Sequence, residues 1–360
     1  MPFMTDDCRP DVRALRAAKR ISWPPVSEGA TKTKERGAMR RFTVIVAAAV
    51  AAFGLATAGA QEKRVRISIG TGGTAGVYYP LGGGLAAILS KHVPGLDATA
   101  EVTSGSVANL QLIGGGKSEL GFTMADSAWD AYNGLDKFQD KKVGLRTLAV
   151  FYPNRMQVAT LEGKGIEKFT DLKGKRVATG APASGTEVMS IRMIEAYGLD
   201  PNKDVIRERL SLAESVNALK DGKVDALTWV GGVPTPGLTD LAATPGKKIR
   251  LIDHGDAAEG MRKKYGPLYV KNRILANAYP GETRETTNVD VWNLLVVPES
   301  ADENLIYQIT KTLFEKKDDL VKVHKDAAFL ALDNQLTGGS PIPFHPGALK
   351  YFKEKGLKVN

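Results

Sequence analysis

The residues able to do chemistry gather at four Gly/Ser/Thr-rich junctions, each lying where an apolar, strand-like run gives way to a helix-like one. The first is Thr71-Gly72-Gly73-Thr74, with Tyr78 a few residues on. The second is Thr103-Ser104-Gly105-Ser106, ahead of a segment containing Asn109. The third is Gly180-Ala181-Pro182-Ala183-Ser184-Gly185-Thr186, and the fourth runs Trp229-Val230-Gly231-Gly232-Val233-Pro234-Thr235. Glycine lets a backbone approach a ligand closely, and N–H groups at a helix start lack intrahelical acceptors and favour anions. Ser and Thr add hydroxyl donors. Any single junction of this kind is more often a cap and turn than a site. Four together read as a ring of donors around a cleft, because ligands of open α/β sheets bind beyond the carboxyl ends of strands.

Other side chains stand beside these loops. Asp126 follows the run 120–125, placed either to cap the next helix or to hold an ammonium or hydroxyl group. Tyr78, Tyr79, Phe151, Tyr152 and Trp229 would supply aromatic walls. Arg155 reads as a surface arginine, with a bidentate clamp on a carboxylate as the alternative.

Reactive constellations are missing from the pattern. His92, His254, His324 and His345 are scattered, with no HExxH and no carboxylate at metal-ligand spacing. Ser104 and Ser184 have no identifiable base. Gly70-x-Gly72-x-x-Ala75 meets a loose dinucleotide fingerprint, but no acidic residue clearly ends the next strand, as that fingerprint requires. Gly116-Lys117-Ser118 resembles the end of a phosphate loop, yet Gln111 occupies the place of the leading glycine. The reading is a binding protein rather than an enzyme, with no cofactor and no metal.

Strand-like runs at 64–70, 98–103, 120–125, 145–152, 157–161, 176–180, 224–230, 248–252 and 290–297 must position these loops. Helix-like segments at 79–92, 107–114, 126–132, 186–197, 212–220 and 301–314 alternate with them. Such alternation argues for α/β units around mostly parallel sheets. Two extended runs meet at Pro153-Asn154 without a helix between them, which suits a chain passing from one lobe to another. A second long extended segment near 288–298 reads as the return. The expected organisation is a first lobe from 61–152 and 291–360, with a second lobe, 153–290, inserted into it.

Charge and composition narrow the class. The 360 residues carry 49 Lys+Arg against 40 Asp+Glu; 10 and 5 of these fall within residues 1–60, leaving 39 against 35, or +4, on the rest. That is no nucleic-acid footprint. Met39-Arg40-Arg41, an apolar run over 42–55 and Ala58-Gly59-Ala60 together read as a signal peptide spanning 39–60, cleaved before Gln61. The product is expected in the periplasm, free of the membrane. Residues 1–38 precede a complete leader and read as a non-native upstream extension. The only cysteine, Cys8, lies within it, so disulfides, thiol catalysis and cysteine zinc sites are not expected in the mature chain.

Five ordered blocks carry a resemblance: IGTGGTAGVYYPLGGGLA, EVTSGSVANLQLIGGGKSELGF, DLKGKRVATGAPASGTE, GKVDALTWVGGVPTP and PIPFHPGALKYFKEKG. From about residue 63 to the C-terminus the sequence resembles the TAXI family, the extracytoplasmic solute receptors of TRAP transporters. The resemblance implies a type II periplasmic-binding-protein fold, two α/β lobes joined by crossing hinge strands, and partnership with TRAP membrane subunits. It implies glutamate-like or dicarboxylate-like ligands. Carried over position by position, the ligand contacts are Thr71, Gly72, Gly73, Thr74, Tyr78, Ser104, Ser106, Asn109, Asp126, Ser184, Gly185 and Thr186, with Gly232 and Pro234 closing the far side. The sequence departs from the family pattern at Met124, often Gln, and at Ala183, often Gly; both departures count against glutamate itself. A membrane sensor kinase is the alternative partner.

Overall fold

The computed structural model describes residues 64–358. The leader at 39–60, the extension at 1–38 and Cys8 fall outside the described residues. The chain opens on β1 (Val65–Gly70), whose Ile67 and Ile69 point into the core, and pairs in parallel with β2 (Leu96–Glu101). Between them α1 (Tyr78–His92) buries Leu81, Leu85 and Leu89. Next come α2 (Ser106–Gly114), β3 (Leu120–Met124) and α3 (Ala125–Asn133), completing a β-α-β-α-β-α run.

The 17-residue β4 (Leu145–Leu161) follows. Sequence reading broke this segment at Pro153-Asn154, whereas the structure carries one strand through it. Proline lacks the N–H that a regular ladder uses, and Pro153 stands opposite Trp292 where the register with a later strand shifts. The irregularity absorbs the missing donor.

A second α/β run is built from β5 (Arg176–Ala178), α4 (Gly185–Ala196), β6 (Ile206–Glu208), α5 (Leu212–Lys220) and β7 (Ala226–Gly231). Ser184 caps α4 by accepting from Glu187 N–H, and Ser211 and Glu214 form a reciprocal capping box on α5. After them come α6 (Pro236–Ala242), β8 (Ile249–Leu251), α7 (Ala257–Tyr265) and β9 (Val270–Ile274). The chain returns through β10 (Thr286–Pro298) and finishes on α8 (Glu303–Glu315), α9 (Lys317–Val323) and α10 (Pro346–Glu354). Both α8 and α9 pack against α1.

The strand order is β2-β1-β3-β10-β4-β7-β5-β6, with β8 added on β4 and β9 on β10. On one side β2, β1 and β3 run parallel; on the other β7, β5 and β6 do the same. Between them lie β10 and β4, antiparallel to each other and to the strands they flank. Two α/β lobes thus share a pair of crossing strands, which is the type II periplasmic-binding-protein fold. Among the described residues no helix is long and apolar enough to cross a membrane.

Candidate functional site

The carboxyl ends of β1, β2 and β3 on one side, and of β5 and β7 on the other, deliver their loops to one cavity of about 290 Å³. From the first lobe come the loop after β1, the residues 102–106 after β2, and Met124. From the second come Ala181, the start of α4, the start of α5, and Trp229, Val230 and Gly231. Tyr152, on crossing strand β4, also lines it.

Nine of the fourteen residues singled out from sequence line this cavity: Gly72, Gly73, Thr74, Tyr78, Ser104, Ser106, Ser184, Gly185 and Thr186. Tyr78 is the most heavily committed of them. Its ring stacks on Phe122 at 5.2 Å, its hydroxyl donates to Asn293 Oδ1 at 2.5 Å, and it accepts from Asn154 Nδ2 at 3.2 Å. One phenol therefore ties the start of α1 to both crossing strands. Burial pushes its hydroxyl well above the ordinary tyrosine range, so it stays a neutral donor. The serine and threonine hydroxyls are partly used internally: Ser106 Oγ accepts from Met124 N–H at 3.1 Å, and Thr186 Oγ1 from Val230 N–H at 3.3 Å.

Five residues do not reach the cavity, each for a visible reason. Thr71 is fully buried and both its N–H and its hydroxyl donate to Glu101 O. Asn109 lies behind it, donating from Nδ2 to Thr71 O at 2.7 Å and Phe122 O at 2.8 Å, while its Oδ1 accepts from Thr103 at 2.7 Å. This one amide staples together the ends of β1, β2 and β3. A Cβ on Gly70 would stand 2.7 Å from Asn109 Oδ1, so only glycine admits the staple there.

Asp126 turns away into a charged cluster. Its Oδ2 accepts from Tyr269 at 2.9 Å and lies 3.5 Å from Arg192, which also pairs with Asp130 at 2.5 Å and Asp136 at 3.4 Å. Burial, partly offset by Arg192, pushes the Asp130 carboxyl up to about 6. Gly232 and Pro234 lie behind the cavity wall, where Val233 N–H donates to Asp326 at 2.8 Å and His324 Nε2 meets Pro234 O at 2.9 Å. The Val233–Pro234 bond is cis. Arg155, read as a surface residue or a clamp, is neither: it is largely buried, pairs with Asp326 at 3.2 Å and covers the Phe329 ring.

Several lining residues were not read as contacts. Val102 precedes the second junction and Thr103 begins it, and Ser211, Leu212 and Ala213 bring in the start of α5. The S-x-x-E capping box at Ser211 was visible in the sequence and marks that helix start. Of the aromatic candidates, Tyr78, Tyr152 and Trp229 line the cavity, while Phe151 is core and Tyr79 is half-exposed.

Two features define the chemistry. No Asp, Glu, Lys, Arg or His is among the lining residues. In addition, the N–H groups of Ser106 and Val107 at the start of α2, and of Gly185 and Thr186 at the start of α4, find no acceptor among the described residues. The Tyr152 hydroxyl is likewise buried without a partner; the Asn293 amide lies beside it but closes no hydrogen bond.

The two sides also touch across the cavity. Ala108 N–H donates to Ala183 O at 3.0 Å and Gly237 N–H to Ala75 O at 2.9 Å. Ala183 adopts φ 61°, a left-handed conformation that disfavours a Cβ.

A family model described as NMT1-like family matches residues 69–356. Among solved structures, a putative L-cystine ABC transporter protein from Listeria monocytogenes is 18% identical, with 74% of this chain and 97% of that one covered and a TM-score of 0.45. The periplasmic aliphatic sulphonate binding protein of Escherichia coli is 15% identical, covering 80% and 82%, with a TM-score of 0.43. A probable amino-acid ABC transporter extracellular-binding protein of Bacillus subtilis is 17% identical, covering 74% and 98%, with a TM-score of 0.43.

Proposed function

The chain belongs to the NMT1-like family, and from that footing we propose that it is an extracytoplasmic solute-binding receptor that captures a small organic acid and delivers it to a membrane transporter. The observation that carries this reading is the cavity itself, walled by loops from both lobes and bridged by the Ala108–Ala183 and Gly237–Ala75 hydrogen bonds. A ligand lodged there touches both lobes and stabilises the closed arrangement, as differential affinity for two states requires. The nine lining residues named above are its contacts. Asn109 and Thr71 hold the first loop in place for it.

The five sequence blocks point to a TRAP-type permease as the partner, and the leader at 39–60 to the periplasm as the compartment. The lobes divide at 61–152, 153–290 and 291–360, with β4 and β10 as the hinge. The work is binding and delivery.

A thermal-shift screen of refolded protein against organic acids, amino acids and sugars tests the reading. A ligand at 100 times its Kd adds about 2.7 kcal/mol to stability. A saturable shift with an organic acid, together with a smaller radius of gyration by small-angle scattering, is the expected result. A screen silent across every class overturns the receptor assignment.

A further inference from the structure

We infer that the cavity is built for a monoanion, a single carboxylate on an apolar body, rather than for an amino acid or a dicarboxylate. The inference rests on the receptor reading and deepens it by naming the ligand class.

Charge inventory comes first. An α-amino acid brings an ammonium that needs an acceptor of opposite charge, and a dicarboxylate brings a second anion that needs a cation. Neither is present among the lining residues. The charged groups outside the wall are already committed: Asp126 and Asp130 to Arg192, and Arg155 to Asp326. Enclosing an ion without a partner is expensive, so both ligand classes are disfavoured by the same absence.

One anion, by contrast, is well provided for. The starts of α2 and α4, nine and twelve residues long, open on the cavity from opposite lobes with free N–H groups. Each contributes partial positive charge at its start. The Tyr152 hydroxyl independently points to a ligand, since it is a fully buried donor on the cavity wall with no acceptor. These donors lack an acceptor, and a carboxylate has two oxygens that accept and none that donate. Tyr78, Met124, Leu212 and Trp229 are the large side chains of the wall, beside the hydroxyls of Thr74, Thr103, Ser104 and Ser211, and they suit a branched or aromatic body. A volume of about 290 Å³ holds a small metabolite.

Isothermal titration of the refolded protein with graded monocarboxylates (isovalerate, phenylacetate, indole-3-acetate) tests this, alongside phenylacetamide, phenylalanine, glutamate and succinate. At least one monocarboxylate is expected to bind. Phenylacetamide is expected to be at least tenfold weaker than phenylacetate, and phenylalanine, glutamate and succinate at least a hundredfold weaker than the best monocarboxylate. Tyr152→Phe is expected to weaken that monocarboxylate about tenfold while its melting temperature holds or rises. Glutamate or succinate binding more tightly than all three monocarboxylates overturns the inference and leaves the receptor reading standing. Equal binding of acid and amide does the same. A protein that binds nothing here and nothing in the wider screen removes the receptor reading itself. A Tyr152→Phe variant that binds the monocarboxylate unchanged removes the tyrosine from the site.

Discussion

Replacing Arg192 by methionine separates electrostatics from packing in the charged cluster that joins α3 to α4. Arg192 is buried and faces Asp126, Asp130 and Asp136, with Tyr269 sharing Asp126 and the Tyr265 ring 4.9 Å from the guanidinium carbon. Methionine keeps much of the stem volume and removes the charge. Two buried carboxylates, Asp126 and Asp130, then lose their cation, and breaking a buried pair from one side costs about 3–5 kcal/mol. For a chain of this size that corresponds to a fall in melting temperature on the order of 10 °C.

The sign with pH is fixed by Asp130. Its carboxyl already stands at about 6 because burial raises it, and losing Arg192 raises it further. Protonation neutralises the orphaned charge, so the loss is greatest near pH 8 and shrinks as pH falls through 6. Urea unfolding of both proteins at pH 8 and pH 5 measures this. The triple variant with Asp126→Asn and Asp130→Asn should recover most of the loss at pH 8. A penalty equally large at pH 5, or no recovery in the triple variant, would refute the electrostatic account and leave only the packing of the arginine stem. Because the cluster joins the two lobes, parting them returns the carboxylates to water. The ligand-free variant should therefore show a larger radius of gyration than the parent at pH 8.

Asn109→Ala removes an amide that makes three hydrogen bonds, two of them buried, and leaves Thr71 O and Phe122 O without it; a loss of about 3 kcal/mol is expected by chemical unfolding. Gly185→Ala would place a Cβ 2.6 Å from both Met124 Sδ and Ser106 Oγ, atoms of the opposite lobe. Opening relieves that clash, so calorimetry should find ligand affinity down at least tenfold, with unfolding stability changed by less than about 1 kcal/mol. Asp290 is pushed from 3.8 up to about 6, chiefly by burial. A carboxyl raised in the folded state contributes stability that is full below about pH 4 and lost as pH rises through 6. Asp290→Asn should flatten that part of the pH–stability curve, and an unchanged slope would show that Asp290 does not titrate there.

The sequence was most legible where local chemistry decides the outcome. Four Gly/Ser/Thr junctions announced themselves, and nine of the residues drawn from the first three line one cavity, while Gly232 and Pro234 of the fourth do not. The predicted helix 212–220 matches α5 to the residue because its capping box and apolar face agree. Legibility failed where long-range packing decides. Asp126 follows a strand in the position of a ligand contact, but its partner Arg192 is remote in sequence, so nothing local revealed the pair. Arg155 was misread for the same reason, with Asp326 still further along. Strand β9 escaped notice because VKNRI is polar and largely exposed, an edge strand that alternation cannot reveal. Asn109 was read as a ligand contact, because composition cannot tell a donor facing a ligand from one that fastens the loop behind it.

The place of β10 in the sheet carries a consequence for biogenesis. It is the strand between β3 and β4, yet ribosomes make it after β5, β6, β7, β8 and β9. Until it emerges, one edge of β3 and one edge of β4 have no neighbour, and the sheet stays split with bare hydrogen-bonding edges. The helices that cover α1 come later still. Such late, non-local pairing makes for slow folding. A nascent chain of this design has little chance of closing its first lobe before most of it has been made. The export proposed above needs a chain still unfolded at the membrane, and for it that delay would be useful: the strand order itself would act as a timer.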